Sequence, residues 1–234
     1  MSDRAARIAE NLVGIRERMA AAAARAGRQA SEVSLVAVTK FASTADIRAL
    51  AAAGWADFGE SRPQQLWQRA EELADLPVRW HLIGHLQRNK VRRTLPLVAM
   101  VHSVDGLRLA ECMDAEMPAA AVRPLPVLLE VNTSGEAAKD GLPLSEVERL
   151  LASVAGFRNL AVRGLMCMAA LEGGLAAAHR DFAALRELRD RLRNHCPAEV
   201  KLDELSMGMS GDFEAAIEEG ATIVRVGSAL FEES

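Results

Sequence analysis

Leu202-Asp203-Glu204-Leu205-Ser206-Met207-Gly208-Met209-Ser210-Gly211-Asp212 runs from an apolar strand into a glycine-serine turn and then into a helix. Thr222-Ile223-Val224-Arg225-Val226-Gly227-Ser228 repeats the form, with β-branched residues followed by a second small-residue turn. Strands apolar along nearly their whole length and alternating with helices indicate a parallel sheet covered on both faces. Working back along the chain, the same signature recurs at residues 33–39, 57–60, 78–84, 97–104, 125–132 and 160–168. With 202–207 and 222–227 these make eight strands. Helices are expected between them: from Ser43 or Thr44 to Gly54, from Pro63, from near Leu86, over 106–117, from a Ser145 cap to Ala155, over 175–196, and from Asp212 to Gly220. Eight such units in 234 residues predict a (β/α)8 TIM barrel, a single domain over residues 1–234. A doubly wound open sheet would more often have five to seven strands. Residues 2–26 add an extra N-terminal helix, with Ile8, Leu12, Ile15 and Met19 on one face and Gly27 to end it.

Composition narrows the chemistry. The chain is 50% hydrophobic, which is enough for a sizeable core, and has 28 Lys+Arg against 32 Asp+Glu. A net charge of −4 and a pI near 5.8 argue against general nucleic-acid binding, which usually requires a basic excess. There is no tyrosine, so phenol acid–base chemistry is excluded. Cys112, Cys167 and Cys196 are odd in number and widely spaced, suggesting neither a disulfide framework nor a CxxC metal site. With no apolar run near the ~20 residues of a membrane span and no signal-like start at Met1-Ser2-Asp3-Arg4, a soluble cytoplasmic protein is expected.

In barrels of this type, active sites lie at the carboxyl ends of the strands, and phosphate is often held after strands seven and eight. The 206–212 turn and Gly227-Ser228 fall at those places. They read either as an anion cradle of backbone N–H groups and hydroxyls, or as ordinary turns that need glycine. Lys40 directly follows the first strand. It reads as a nucleophile desolvated at the mouth or as a surface lysine, and it is one of only four, with Lys90, Lys139 and Lys201. Arg225 interrupts an apolar strand on the face shared with Ile223 and Gly227. It reads as one half of an interior salt bridge, with Glu130 or Asp203, or as a ligand contact. His81 and His85 are poorly spaced for a metal on a strand, and no metal is expected. Met166 and Met168 read as core or pocket lining.

Several of these motifs occur together in one known family. Val36-Ala37-Val38-Thr39-Lys40, Phe58-Gly59-Glu60, His81-Leu82-Ile83-Gly84 with Leu86-Gln87 and Asn89-Lys90, Val131-Asn132 through Lys139-Asp140-Gly141, Arg163-Gly164-Leu165-Met166, Ser206-Met207-Gly208-Met209-Ser210 with Asp212, and Val224-Arg225-Val226-Gly227 resemble, in order, the pyridoxal phosphate homeostasis proteins. The resemblance implies a barrel like the N-terminal domain of alanine racemase, binding pyridoxal 5′-phosphate (PLP) at its mouth. It implies that Lys40 holds PLP as an internal aldimine. Ser210, Gly208, Met209, Gly227 and Ser228 would meet the phosphate and Arg225 the pyridine nitrogen, while His81 and Ser61 join the cofactor site. An arginine keeps its proton, leaving the ring nitrogen unprotonated and the cofactor a weaker electron sink. Ser61 stands where the family usually has asparagine, so a contact to the ring or its hydroxyl is altered. The end, Phe231-Glu232-Glu233-Ser234, lacks the glycine and basic residue with which the family commonly continues.

The expected function is intracellular PLP homeostasis without catalysis. PLP-dependent enzymes would be recipients, the chain a monomer, and nucleic acid and membrane not partners. The alternative is an amino-acid racemase, but related racemases use a tyrosine from a second β domain, and this sequence shows neither. A Schiff-base aldolase barrel is a further alternative. It would use Lys40 and the phosphate turns but leaves Arg225 without a role.

Overall fold

The computed structural model describes residues 3–117, 123–136 and 139–232. Met1, Ser2, Glu233 and Ser234 lie outside them. Strands β1 (Ser34–Val38), β2 (Asp57–Glu60), β3 (Arg79–Leu82) and β4 (Met100–Val104) pair in parallel sequence. They continue through β5 (Leu125–Asn132), β7 (Leu160–Met166), β8 (Glu204–Ser206) and β9 (Ile223–Val226), and β9 returns to β1. The β4–β5 pairing closes the ring, giving the eight-stranded barrel that the sequence predicts. A two-residue strand, β6 (Leu142–Pro143), lies beside β5 outside the ring. Between the strands lie α2 (Thr44–Ala52), α3 (Pro63–Glu72), α4 (Val91–Thr94), α5 (Leu107–Glu116), α6 (Val147–Val154), α7 (Gly174–Arg193) and α8 (Phe213–Glu218).

Most apolar side chains pack between strands and helices, but a separate small cluster of Val36, Leu128, Met166 and Ile223 fills the inside of the ring. Side chains alternate along a strand, so these four mark the inward face. Two residues on from Val36 stands Val38, and two on from Ile223 and Leu128 stand the charged Arg225 and Glu130. The same periodicity that plugs the barrel's lower half therefore turns polar groups inward nearer its mouth.

The N-terminal helix α1 (Asp3–Arg25) buries Ile8, Leu12, Ile15 and Met19 on one stripe. Each fully buried side chain of that kind contributes about 1.5–3 kcal/mol. The stripe packs against α2, α8 and a final short helix, α9 (Ser228–Phe231), which the sequence reading did not foresee. Asn11 Nδ2 donates to the Leu230 carbonyl at 3.1 Å, so α1 also holds the turn after β9.

Other departures are local. Ser43 caps α2 as expected, in a reciprocal box with Asp46. Ser145 does not cap α6, because Pro143 opens a 3-10 turn (Leu144–Glu146) one step earlier and places Ser145 inside it. The helix expected near Leu86 begins as a 3-10 turn (Arg88–Lys90) before α4.

Candidate functional site

A cavity of about 630 Å³ opens at the carboxyl ends of the strands, within the size range of small-molecule sites. Lys40, Ser61, Met209, Ser210, Arg225, Gly227 and Ser228 all line it. Residues from distant parts of the sequence therefore meet at one mouth.

The two small-residue turns are tied together by one hydroxyl. Ser210 Oγ accepts from the Gly227 N–H at 3.1 Å and from the Ala229 N–H at 3.5 Å. With both lone pairs engaged, its single O–H proton remains to be donated, and Ser210 lines the cavity. Gly208 lies just behind this wall with φ +91°, a conformation that favours glycine. A Cβ there would stand 2.5 Å from the Ala216 Cβ and 2.9 Å from the Phe213 Cα, so the turn packs directly onto α8. Asp212 Oδ1 accepts from the Met209 N–H at 2.5 Å, which fixes the last step of the turn.

Lys40 leaves β1 at the mouth with its Nζ 4.5 Å from the Phe41 ring centre, and Gln65 Nε2 holds its carbonyl at 3.1 Å. Arg225 is only 3% exposed and forms an ion pair with neither Glu130 nor Asp203. Nη1 donates to Ser206 Oγ at 2.6 Å and Nη2 to the Cys167 carbonyl at 3.0 Å. Asp203 pairs instead with Arg193 at 2.8 Å. The guanidinium carries five N–H donors, and these two bonds leave others for the cavity it lines.

His81 sits deeper, off the cavity wall, bonded to His102 and Asp57. His85 reaches the wall but pairs with Asp105 at 3.0 Å. Among the described residues, no group of three or more His, Cys, Asp and Glu is arranged to hold a metal ion. Met166 is core and Met168 lines the cavity.

Glu130 is the main residue whose place in the cavity the sequence reading missed. It is 4% exposed, lines the cavity, and its Oε2 has no hydrogen-bond partner. Burial, and then the charges of Asp140 and Asp105, raise its pKa to about 7. Its signal was present in Leu128-Leu129-Glu130-Val131, a lone charge within an apolar strand, as Arg225 is in β9. Arg4 and Phe231 also line the cavity and come from the two ends of the chain, where no local pattern marks them.

Comparison with known proteins follows the same outline. Residues 10–234 match the family model described as alanine racemase, N-terminal domain. A pyridoxal phosphate homeostasis protein of Pseudomonas aeruginosa is 45% identical over 96% of this chain and 94% of its own length. The structure of PipY from Synechococcus elongatus with PLP bound superposes with a TM-score of 0.84 at 35% identity, covering 96% of this chain and 99% of that one. An alanine racemase from Corynebacterium glutamicum shares the fold at 16% identity and a TM-score of 0.71, and 62% of that longer chain is covered.

Proposed function

The chain belongs to the pyridoxal phosphate homeostasis protein family, and from that membership we propose that it binds PLP in the mouth cavity as one cofactor-holding barrel over residues 1–234. The observation that carries the reading is the convergence of an amine, a buried guanidinium and a turn with a hydroxyl proton to donate on one cavity wall. The donor set suits the group. Ser210 has a hydroxyl proton to give, and the Gly208 turn, closed against α8 and fixed by the Met209–Asp212 bond, sets that hydroxyl on the cavity wall where a phosphate can accept it.

When bound, PLP supplies an aldehyde that a primary amine can capture and a ring that can accept electron density. Lys40 is the amine placed to hold the aldehyde covalently. Ser210 and Ser228 would hold the phosphate with their hydroxyls, while Met209 and Gly227, whose N–H groups are engaged by Asp212 and Ser210, line the two turns and Gly208 shapes the first. Arg225 would donate to the ring nitrogen and, because it does not give up its proton, would keep that nitrogen an acceptor. Ser61 lies on the same wall with one hydroxyl. His81 supports the site from beneath it.

Carrier rather than catalyst is the second part of the proposal. Racemisation needs an acid–base group on each face of the reacting carbon, and the 234 residues contain no tyrosine. Cys167 is fully buried, and that burial pushes its thiol up to about 12. His85 is the one histidine among the described lining residues, and Asp105 already engages it. A cytoplasmic monomer that delivers PLP to PLP-dependent enzymes completes the reading. No helix among the described residues is long and apolar enough to cross a membrane.

Titration of the purified protein with PLP, followed by visible absorption, tests the binding. A saturable new band is expected, and a protein that stays colourless with PLP added overturns the reading. Incubation of the loaded protein with a panel of L-amino acids tests the second part. No D-isomer at catalytic rates is expected, and turnover would make the protein a racemase.

A further inference from the structure

Beneath the cavity, five polar side chains from five strands touch in series through the barrel interior. Asp57 Oδ1 is 3.2 Å from His81 Nε2, and His81 Nδ1 is 2.9 Å from His102 Nε2. His102 Nδ1 is 2.8 Å from Ser206 Oγ, which accepts from Arg225 Nη1 at 2.6 Å. His102 and Ser206 are fully buried, and His81 is 8% exposed. The series begins at the amino end of β2, where Arg79 also grips Asp57 through Nε at 2.6 Å and Nη2 at 2.5 Å. It ends at the guanidinium on the cavity wall.

Counting donors gives the series a direction. Arginine only donates, so Ser206 accepts from it and has one O–H proton to pass on. That proton goes to His102 Nδ1. His102 is fully buried, and that burial holds it well below the ordinary histidine range, so it is neutral and, with Nδ1 accepting from Ser206, its one proton sits on Nε2. His102 therefore donates to His81 Nδ1, and His81 donates from Nε2 to Asp57. Burial alone would raise the Asp57 carboxyl, but the bonds from His81 and Arg79 bring it down to about 2, and it is an anion. The opposite order would put protons on both His81 nitrogens, make Ser206 accept from His102 as well as from Arg225, and leave the fully buried serine proton with no acceptor among the described residues.

Among the described residues, no carboxylate pairs directly with Arg225, and its two side-chain bonds go to neutral oxygens. A buried polar series of this kind rigidifies a site only when every member is satisfied, and here each member has its partner. We propose that Asp57, His81, His102 and Ser206 form a tautomer lock whose single proton order keeps Ser206 an acceptor and holds the Arg225 guanidinium with its remaining donors turned to the cavity. The four are positioning residues. The lock rests on the reading that Arg225 serves the ring nitrogen of PLP, but its proton order is a property of the chain alone.

Two measurements separate the lock from that reading. The first is 15N NMR of the histidine-labelled, cofactor-free protein at pH 7.5. It should show His81 and His102 both neutral with the proton on Nε2. A proton on His102 Nδ1, or a doubly protonated His81, overturns the lock. The second compares affinities for PLP and for its 1-deaza analogue, in which CH replaces the ring nitrogen. Ser206→Ala should weaken PLP by about tenfold, the scale of a lost charge-assisted hydrogen bond, and leave the analogue within about twofold. Asp57→Asn, far from the cavity, should show the same selectivity with a smaller loss and a changed His81 15N pattern. Equal losses for both ligands would mean mere structural support and overturn the lock. Failure of the unaltered protein to bind PLP would overturn the functional reading, with the tautomer spectrum still deciding the lock.

Discussion

Glu130 sits where a negative charge is costly, inside the strand ring with one oxygen unpartnered. Folding raises its carboxyl from the ordinary 4.5 to about 7, so between those values the folded chain keeps a proton that the unfolded chain has lost. Stability should therefore fall as pH rises from 4.5 to 7, by at most about 3 kcal/mol. Glu130→Gln should remove that slope and give a protein more stable than the parent at pH 8 and little changed at pH 4.5. Urea unfolding at the two pH values reads this directly, and parallel curves for parent and variant would contradict it. Gly208 is a residue-scale prediction of a different kind. Gly208→Ala should cost about 1–3 kcal/mol, because φ +91° disfavours any Cβ and this one meets Ala216. Chemical denaturation checks it, and an unchanged midpoint would contradict the close turn-to-helix packing.

Helix α1 links fold and site at the scale of elements. Its apolar stripe covers α2, α8 and α9, and its polar residues reach the last turn through Asn11 and Arg4. Arg4 Nε and Nη2 hold Asp46 at 2.5 and 2.9 Å, and with the Ser43 cap they lower that carboxyl from 3.8 to about 2. A lowered carboxyl stabilises fully above its unfolded value, and that stability is lost as pH falls through the folded one. Arg4 is half exposed, so solvent screening leaves about 1 kcal/mol of the effect. Arg4→Ala should shift acid unfolding upward in pH, as followed by circular dichroism, while stability at pH 2 is nearly unchanged. Leu12→Ala should cost about 2–5 kcal/mol by opening a cavity under the stripe. It should also weaken PLP binding, although Leu12 is absent from the cavity wall.

At the scale of the molecule, the barrel was legible because each strand carries its own apolar run and each turn its own small residues. Those signals are local, and the mouth follows from topology once the strands close in order. Lys40, Ser210 and Arg225 could be placed at that mouth because each sits at or near a strand's carboxyl end. What stayed illegible depends on pairs far apart in the sequence. His102 and Ser206 are separated by 104 positions, and nothing near either residue marks the other. Glu130, like Asp203, reads in the sequence as a salt-bridge partner for Arg225, yet only the closed ring shows that Arg225 instead bonds to Ser206 and the Cys167 carbonyl. Ser145 failed as a cap because a neighbouring proline, not the serine, sets where the turn begins.

We propose that one lysine, Lys40 at the end of β1, holds the cofactor at this mouth. The protein is loaded with PLP, reduced with borohydride, and the modified peptide mapped by mass spectrometry. A single phosphopyridoxyl adduct is expected on Lys40, lost in a still-folded Lys40→Ala protein. An adduct on Lys90, Lys139 or Lys201 instead, or none at all, would contradict it.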